Sequence, residues 1–126
     1  MALALGEPDA PAVRRVFATR RDPFLMPWST LTETTSMLVL RSSHYVMSRF
    51  LQTLPGSGLS IVDLLPADLL RASELCREYL DSRFDFVDAT IVAYAERRNI
   101  RQILTLDHRC FSMVRPKHCP SFELLP

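Results

Sequence analysis

Residues 85–107 read DFVDATIVAYAERRNIRQILTLD, and this stretch decides the fold. It opens with Asp85 and Asp88, continues as an Ala-rich apolar segment, and closes on Asp107 after a short apolar run. This pattern predicts a helix followed by a short strand, with carboxylates at both ends of the unit. Oxygen ligands suit a hard divalent cation such as magnesium, which suggests metal-assisted phosphoryl chemistry.

The rest of the chain is typical of one soluble globular domain. It has 126 residues, 48% of them apolar, so a single domain over 1–126 with one core is expected. It contains no run of 18 apolar residues, and its first five residues lack the basic flank of a signal peptide. These features predict a cytoplasmic protein without a membrane segment.

Cysteine and charge usage exclude two further classes of protein. The spacing of Cys76, Cys110 and Cys119 fits neither a disulfide framework nor a zinc knuckle, so reduced thiols are expected. The net charge of +1 is too small to attract nucleic acid to the whole molecule. Fourteen of the fifteen cationic residues are Arg, which grips phosphate or carboxylate at two points, although a GC-rich genome would also favour Arg.

Helices and short strands alternate along the chain. Residues 1–6 are interpreted as the end of an apolar helix, followed by a turn. The predicted strands are 24–26, 59–65, 103–106 and 121–125, and the predicted helices are 10–21, 30–42, 44–54, 66–80 and 86–98. Ser29 or Thr30 is expected to cap the second helix. Apolar strands separated by helices imply a parallel sheet covered on both faces, an α/β fold.

Two stretches carry a resemblance to a known family. PWSTLTETTSMLVLR (27–41) and RFDFVDATIVAYAERRNIRQILTLDHRCF (83–111) resemble the PIN domain, and within it the VapC-type toxin nucleases of toxin-antitoxin pairs. The resemblance extends over nearly the whole chain. It implies a three-layer α/β/α fold with a parallel sheet of four or five strands, and a ribonuclease that uses Mg²⁺ or Mn²⁺ held by three or four carboxylates.

The resemblance also implies the site residues. The family's helix glutamate falls on Glu33, its Asp-Ala aspartate on Asp88, and the aspartate after its fourth strand on Asp107. Asp85 matches an acidic position often seen before the Asp-Ala pair and ranks lower. The family's first aspartate follows a central opening strand, and neither that strand nor its aspartate is expected in this chain. Weak metal binding and low or absent cleavage are therefore expected.

Each acidic residue also has an interpretation that needs no metal. Glu33 is expected in the first turn of a helix, where the helix dipole favours a carboxylate. Asp85 is interpreted as an N-cap that forms a near-capping box with Asp88. Asp107 would, by itself, be a turn residue. Their joint occurrence in one family pattern favours the metal-ligand interpretation for Glu33, Asp88 and Asp107.

Other polar and aromatic residues near these motifs are secondary candidates. Thr105 is either a partner of the acidic cluster or an ordinary strand threonine, and Arg109 contacts either phosphate or a neighbouring acid. His108 is interpreted as a surface histidine. Trp28 and Tyr45 are interpreted as packing residues at a subunit contact.

Three hypotheses for function follow. The first is a metal-dependent ribonuclease toxin with an RNA substrate, a small cognate antitoxin and a homodimeric state. The second is an inactive PIN-like module that binds RNA or protein. The third is a natural protein whose start lies upstream of Met1, where the first strand and its aspartate would be encoded.

Overall fold

The computed structural model describes residues 15, 18, 19, 23–105 and 107–125. The helix end expected at 1–6 and the turn after it lie outside the described residues. Arg15, Ala18 and Thr19 are helical, and they fall within the helix predicted over 10–21. The Thr19 hydroxyl donates to the Arg15 carbonyl at 2.9 Å, as a helical threonine does.

The described elements alternate between short strands and helices. In chain order they are β1 (Phe24–Pro27), α1 (Trp28–Arg41), α2 (His44–Thr53), β2 (Leu59–Val62), α3 (Pro66–Glu78), α4 (Phe86–Arg98), β3 (Gln102–Leu104), α5 (His108–Met113) and β4 (Glu123–Leu125). They divide between two compact units, 1–62 and 63–126, which are described separately. No helix in the described part of the chain is long and apolar enough to cross a membrane.

The strands form two parallel pairs. In the first unit β1 pairs with β2, and Phe24 lies opposite Leu59. In the second unit β3 pairs with β4, and Ile103 lies opposite Leu124. The α/β class and the parallel pairing are as predicted. The four or five strands expected in one sheet appear, among the described residues, as two sheets of two strands each.

The first unit shows how a strand runs directly into a helix. Pro27 ends β1 and is also the N-cap of α1, with an extended backbone and no side-chain capping bond. The expected cap at Ser29 or Thr30 is therefore wrong, because the helix already begins at Trp28. Glu33 consequently lies in the second turn of α1 and not in the first, so the helix dipole contributes little to its placement.

Burial in the first unit agrees with the sequence only in part. Leu31 and Leu38 are buried on α1 as expected, but Leu40 is 85% exposed. Residues two apart on a helix differ by about 200° in direction, so Leu38 and Leu40 cannot share one face. β1 was expected to be buried, yet Leu25 is exposed, and α2 contributes no buried residue.

In the second unit, the carboxylate of Asp68 is buried at the start of α3. It accepts a hydrogen bond from the Leu65 N–H at 2.8 Å and two from Arg97 Nε, at 2.9 and 3.1 Å. Its side chain is only 2% exposed. Leu69 and Leu70, which were expected on the buried side, are exposed instead. The ion pair with Arg97 joins α3 to α4 and explains why a charged residue takes a core position.

The helix α4 forms the centre of the second unit. It runs over Phe86–Arg98 as predicted and ends where Asn99 adopts the left-handed conformation, with φ 55°. Its buried residues are Ala89, Thr90, Val92, Ala93, Tyr94 and Ala95. Val87 and Ile91, which were expected to point inward, are only half-buried. Since this helix is apolar on most sides, periodicity alone does not identify its innermost face.

The C-terminal part of the second unit contains one helix that was not predicted. The short helix α5 follows β3 and places Cys110 and Phe111 in the core. Both strands of the pair are shorter than predicted, with three residues each. Two hydrogen bonds extend the pairing beyond the strand ends, from the Thr105 N–H to the Leu125 carbonyl and from the Glu123 N–H to the Arg101 carbonyl.

A second ion pair joins α3 to α4. Arg71 donates to both carboxylate oxygens of Glu96, from Nε at 2.7 Å and from Nη2 at 3.1 Å. The same glutamate accepts from the Lys117 N–H at 2.8 Å, which attaches the segment after α5 to this network. Two-point contact between a guanidinium and a carboxylate sets the orientation of both groups. The helix pair is therefore held by polar contacts as well as by its apolar core.

We predict that Asp68→Ala lowers the free energy of unfolding by about 1 to 3 kcal/mol, because a capping acceptor and an ion-pair partner are lost together. Burial alone would raise the pKa of Asp68, but hydrogen bonds from Arg97 and Leu65 outweigh it and hold the pKa below its ordinary value. The contribution is therefore present at neutral pH and is lost as the pH falls through that lowered pKa.

Urea unfolding at pH 7 and at low pH measures this effect. Asp81→Ala, which removes an exposed carboxylate from the same unit, is the matched control and should change little. Equal losses in the two variants at pH 7 would contradict the assignment.

Candidate metal-binding carboxylates at Asp88 and Asp107

The site begins with the capping box at the start of α4. The Asp85 carboxylate accepts from the Asp88 N–H at 2.9 Å, and the Asp88 carboxylate accepts from the Asp85 N–H at 3.1 Å. Two otherwise unpaired N–H groups at the helix end are satisfied in this way. The structure therefore shows Asp85 as the N-cap, the interpretation that the sequence favoured for it. The box also holds Asp88 against the end of the helix.

Asp88 differs electrostatically from an ordinary surface carboxylate. Burial and the neighbouring charge of Asp85 raise the pKa of Asp88 to about 6. The Cys110 thiol lies 3.6 Å from Asp88 Oδ2 and donates a hydrogen bond to it, which opposes that increase. A half-buried carboxylate beside a second carboxylate gains stability when a cation neutralises the pair.

Asp107 is the N-cap of the short helix α5. Its carboxylate accepts from the Cys110 N–H at 3.0 Å, and its own N–H donates to the Thr105 hydroxyl at 2.9 Å. Thr105 thus orients the backbone at Asp107. The Asp107 side chain is exposed, as are His108 and Arg109 in the first turn of α5. A carboxylate in this position is open to solvent and to ligands.

The structure connects two of the three predicted ligands through one residue. Cys110 donates to Asp88 through its thiol and to Asp107 through its backbone N–H. Glu33 lies on α1 in the first unit, and its membership of the set stays a prediction. Among the described residues, no group of three or more His, Cys, Asp or Glu side chains is arranged to hold a metal ion.

Sequence reasoning did not identify Cys110 as part of this site. It was interpreted only as one of three reduced thiols, and the structure shows all three cysteines free. Burial and the nearby charges of Asp88 and Asp107 raise the pKa of the Cys110 thiol to about 12. One feature of the sequence could have indicated the contact with Asp107. Cys110 lies three residues after Asp107, and an N-cap side chain accepts a hydrogen bond from the backbone N–H at that position. The contact was not expected because α5 itself was not predicted.

The donor set at this site suits a small hard cation. Mg²⁺ is commonly held by one or two carboxylates, and waters and substrate phosphates complete its shell. Asp88 and Asp107 offer carboxylate oxygens, and the pKa of Asp88 is raised because its carboxylate is partly buried and lies beside the charge of Asp85. These residues therefore fit a divalent cation of the Mg²⁺ or Mn²⁺ class.

Comparison with known families gives one match that extends over most of the chain. Residues 1–115 match the PIN domain, which is most of the chain. The chain belongs to the PIN domain family. The matched region includes α1, α3, α4 and α5, and hence Glu33, Asp88 and Asp107. The family resemblance that the two sequence stretches carried is thereby confirmed.

Two VapC proteins are similar to this chain. Ribonuclease VapC26 of Mycobacterium tuberculosis strain H37Rv is 28% identical over 120 residues, which cover 95% of this chain and 89% of that protein. The crystal structure of M. tuberculosis VapC20, described as a Sarcin-Ricin loop cleaving toxin, matches with a TM-score of 0.71. The match covers 80% of this chain and 78% of VapC20 at 20% identity, so it supports the PIN fold.

We predict that Asp88→Asn stabilises the metal-free protein at pH 8 by about 1 kcal/mol, because it removes an anion from a site that favours the neutral form. One pKa unit converts to about 1.4 kcal/mol, and solvent screening of a half-exposed group reduces the expected gain.

The stability that Asp88→Asn gains over the wild type should decrease as the pH falls. Because the folded-state pKa is raised to about 6, the wild type takes up a proton and gains stability as the pH falls from 7 towards 4. The advantage of Asp88→Asn should disappear over that range. Thermal unfolding with a chelator present measures it, and an advantage that grows on acidification would contradict the assigned cause.

Proposed function

We propose that this chain is a metal-dependent endoribonuclease of the VapC type, with Asp88, Asp107 and Glu33 as its metal-binding carboxylates. The observation that carries the proposal is the connection of Asp88 and Asp107 through Cys110 in a PIN domain. The similarity to a protein named Ribonuclease VapC26 supports RNA as the substrate class.

The chain's own residues would divide the work as follows. Asp88 and Asp107 supply anionic oxygens, while Asp85 caps α4 and keeps Asp88 at the helix end. Thr105 orients Asp107, and the exposed Arg109 beside it offers a guanidinium to a substrate phosphate. Mg²⁺ or Mn²⁺, when held by these carboxylates, would act as a Lewis acid and stabilise negative charge on the phosphodiester oxygens.

The same proposal includes the cellular setting expected of such a nuclease. A cytoplasmic homodimer would be neutralised by a small cognate antitoxin, as expected from the sequence resemblance.

A second candidate function is an inactive PIN-like module that binds RNA or a protein partner. The observation in its favour is that the described residues contain no group of three metal-binding side chains already in place. On this alternative the carboxylates would remain as helix caps, a role that Asp85 and Asp107 both fill.

We predict that Mn²⁺ binds the wild type weakly and that Asp88→Asn or Asp107→Asn weakens binding by at least about tenfold, since even outer-shell partners of metal ligands have effects of this size. Cleavage of a mixed RNA substrate should fall by about a hundredfold, the scale for losing one group that stabilises charge on reacting oxygens. Calorimetric titration and gel analysis of the RNA measure the two effects.

The matched control is Asp81→Asn, which removes the charge of an exposed carboxylate in the same unit, outside the capping box. It should retain Mn²⁺ binding and cleavage within about threefold, as expected for a surface residue away from the proposed ligands. RNA binding without cleavage, and without heat from Mn²⁺, would favour the inactive module. Cleavage that persists in Asp88→Asn would refute the assigned site.

A further inference from the structure

Cys110 occupies an unusual position between the two aspartates of the second unit. Its thiol donates to Asp88 Oδ2 at 3.6 Å, and its backbone N–H donates to Asp107 Oδ1 at 3.0 Å. Asp88 lies in the first turn of α4, whereas Asp107 is the N-cap of α5, so the two residues are nineteen positions apart in the chain. One residue therefore joins two acidic groups that the sequence keeps apart.

The core holds Cys110 firmly in this position. Its side chain is 5% exposed and belongs to the same buried cluster as Ala89 and Phe111. A side chain packed in such a cluster has little rotamer freedom, so the position of its Sγ atom beside Asp88 is restricted. The contact to Asp88 is thus part of the packed interior of this unit.

We propose that Cys110 is a positioning residue that fixes the carboxylates of Asp88 and Asp107 relative to each other for a divalent cation. This role rests on the function proposed above for the same site. The Oδ2 atom of Asp88 accepts two hydrogen bonds, one from the Cys110 thiol and one from the Asp85 N–H. Oδ1 is then the oxygen that these two bonds leave for the cation.

The side chain of Cys110 matters here in a way that its backbone does not. Any residue other than proline at this position would offer its N–H to Asp107, because the third residue of a capped helix does so generally. Only a side chain that carries a hydrogen-bond donor can make the contact with the Asp88 carboxylate. Cys110→Ala therefore removes the link to Asp88 and leaves the link to Asp107, while Cys110→Ser retains a donor of similar size.

The first experiment tests the hydrogen bond directly in the metal-free protein. The S–H stretching band of Cys110 is isolated by infrared difference between the wild type and Cys110→Ala. We expect this band at a lower frequency than the band of Cys76, which is isolated in the same way with Cys76→Ala. In Asp88→Asn the Cys110 band should shift upward, since a neutral amide oxygen is a weaker acceptor than a carboxylate.

The second experiment tests positioning through Mn²⁺ affinity, measured by calorimetry. We expect Cys110→Ala to weaken binding by about tenfold, the lower end of the range for groups that orient metal ligands. Cys110→Ser should recover most of that loss. Cys76→Ala is the matched control, because Cys76 is a half-buried thiol packed against the same core, and its removal should leave the affinity unchanged.

Thermal unfolding of all variants separates positioning from general destabilisation. If Cys110→Ala and Cys110→Ser melt at similar temperatures but differ in Mn²⁺ affinity, the proposal is supported. It is overturned if Cys110→Ala binds Mn²⁺ as tightly as the wild type, or if the Cys110 band does not respond to Asp88→Asn. A third result would separate the two proposals. If the wild type binds no Mn²⁺ but the Cys110 band still shifts in Asp88→Asn, the proposed function and the metal-positioning role are both refuted. The hydrogen bond between Cys110 and Asp88 would then be the part that stands.

Discussion

The burial of α4 is the constraint on which the second unit depends. This helix carries small side chains on its innermost face, with Ala89, Val92 and Ala93 almost fully removed from solvent. Small residues let α3 approach closely, and Asp68 and Arg71 of α3 then form ion pairs with residues near the end of α4. Burial of apolar surface provides the main free energy, and the ion pairs set the register of the two helices.

The start of the same helix lies at the candidate site, so fold and function share a structural element. The capping box keeps Asp88 in the first turn of α4, where the core extends as far as Cys110. A carboxylate in that position is partly desolvated, which is unfavourable for the metal-free protein and favourable for cation binding. Stability and the proposed chemistry therefore make opposite demands on one residue, as is common at functional sites.

Local chain signals anticipated the helix and its cap because they act over three or four residues. Asp85 three positions before Asp88 is enough to indicate a capping box, and the apolar run after it indicates the helix over 86–98. Other features depend on distant neighbours. The burial of Asp68 requires Arg97, which lies 29 residues further along the chain. The error at Leu40 arose because an apolar residue was assumed to lie inward, although apolar side chains are common on protein surfaces.

The sequence by itself determined the PIN family, the alternation of strands and helices, and the acidic residues proposed for the site. Those properties depend on residue type and short-range spacing, which are written directly in the chain. The tertiary structure alone decided that Cys110 contacts both Asp88 and Asp107, and that Asp88 is desolvated enough for its pKa to reach about 6. Burial and hydrogen bonding between residues about twenty positions apart exist only once α4 and α5 have packed into one core.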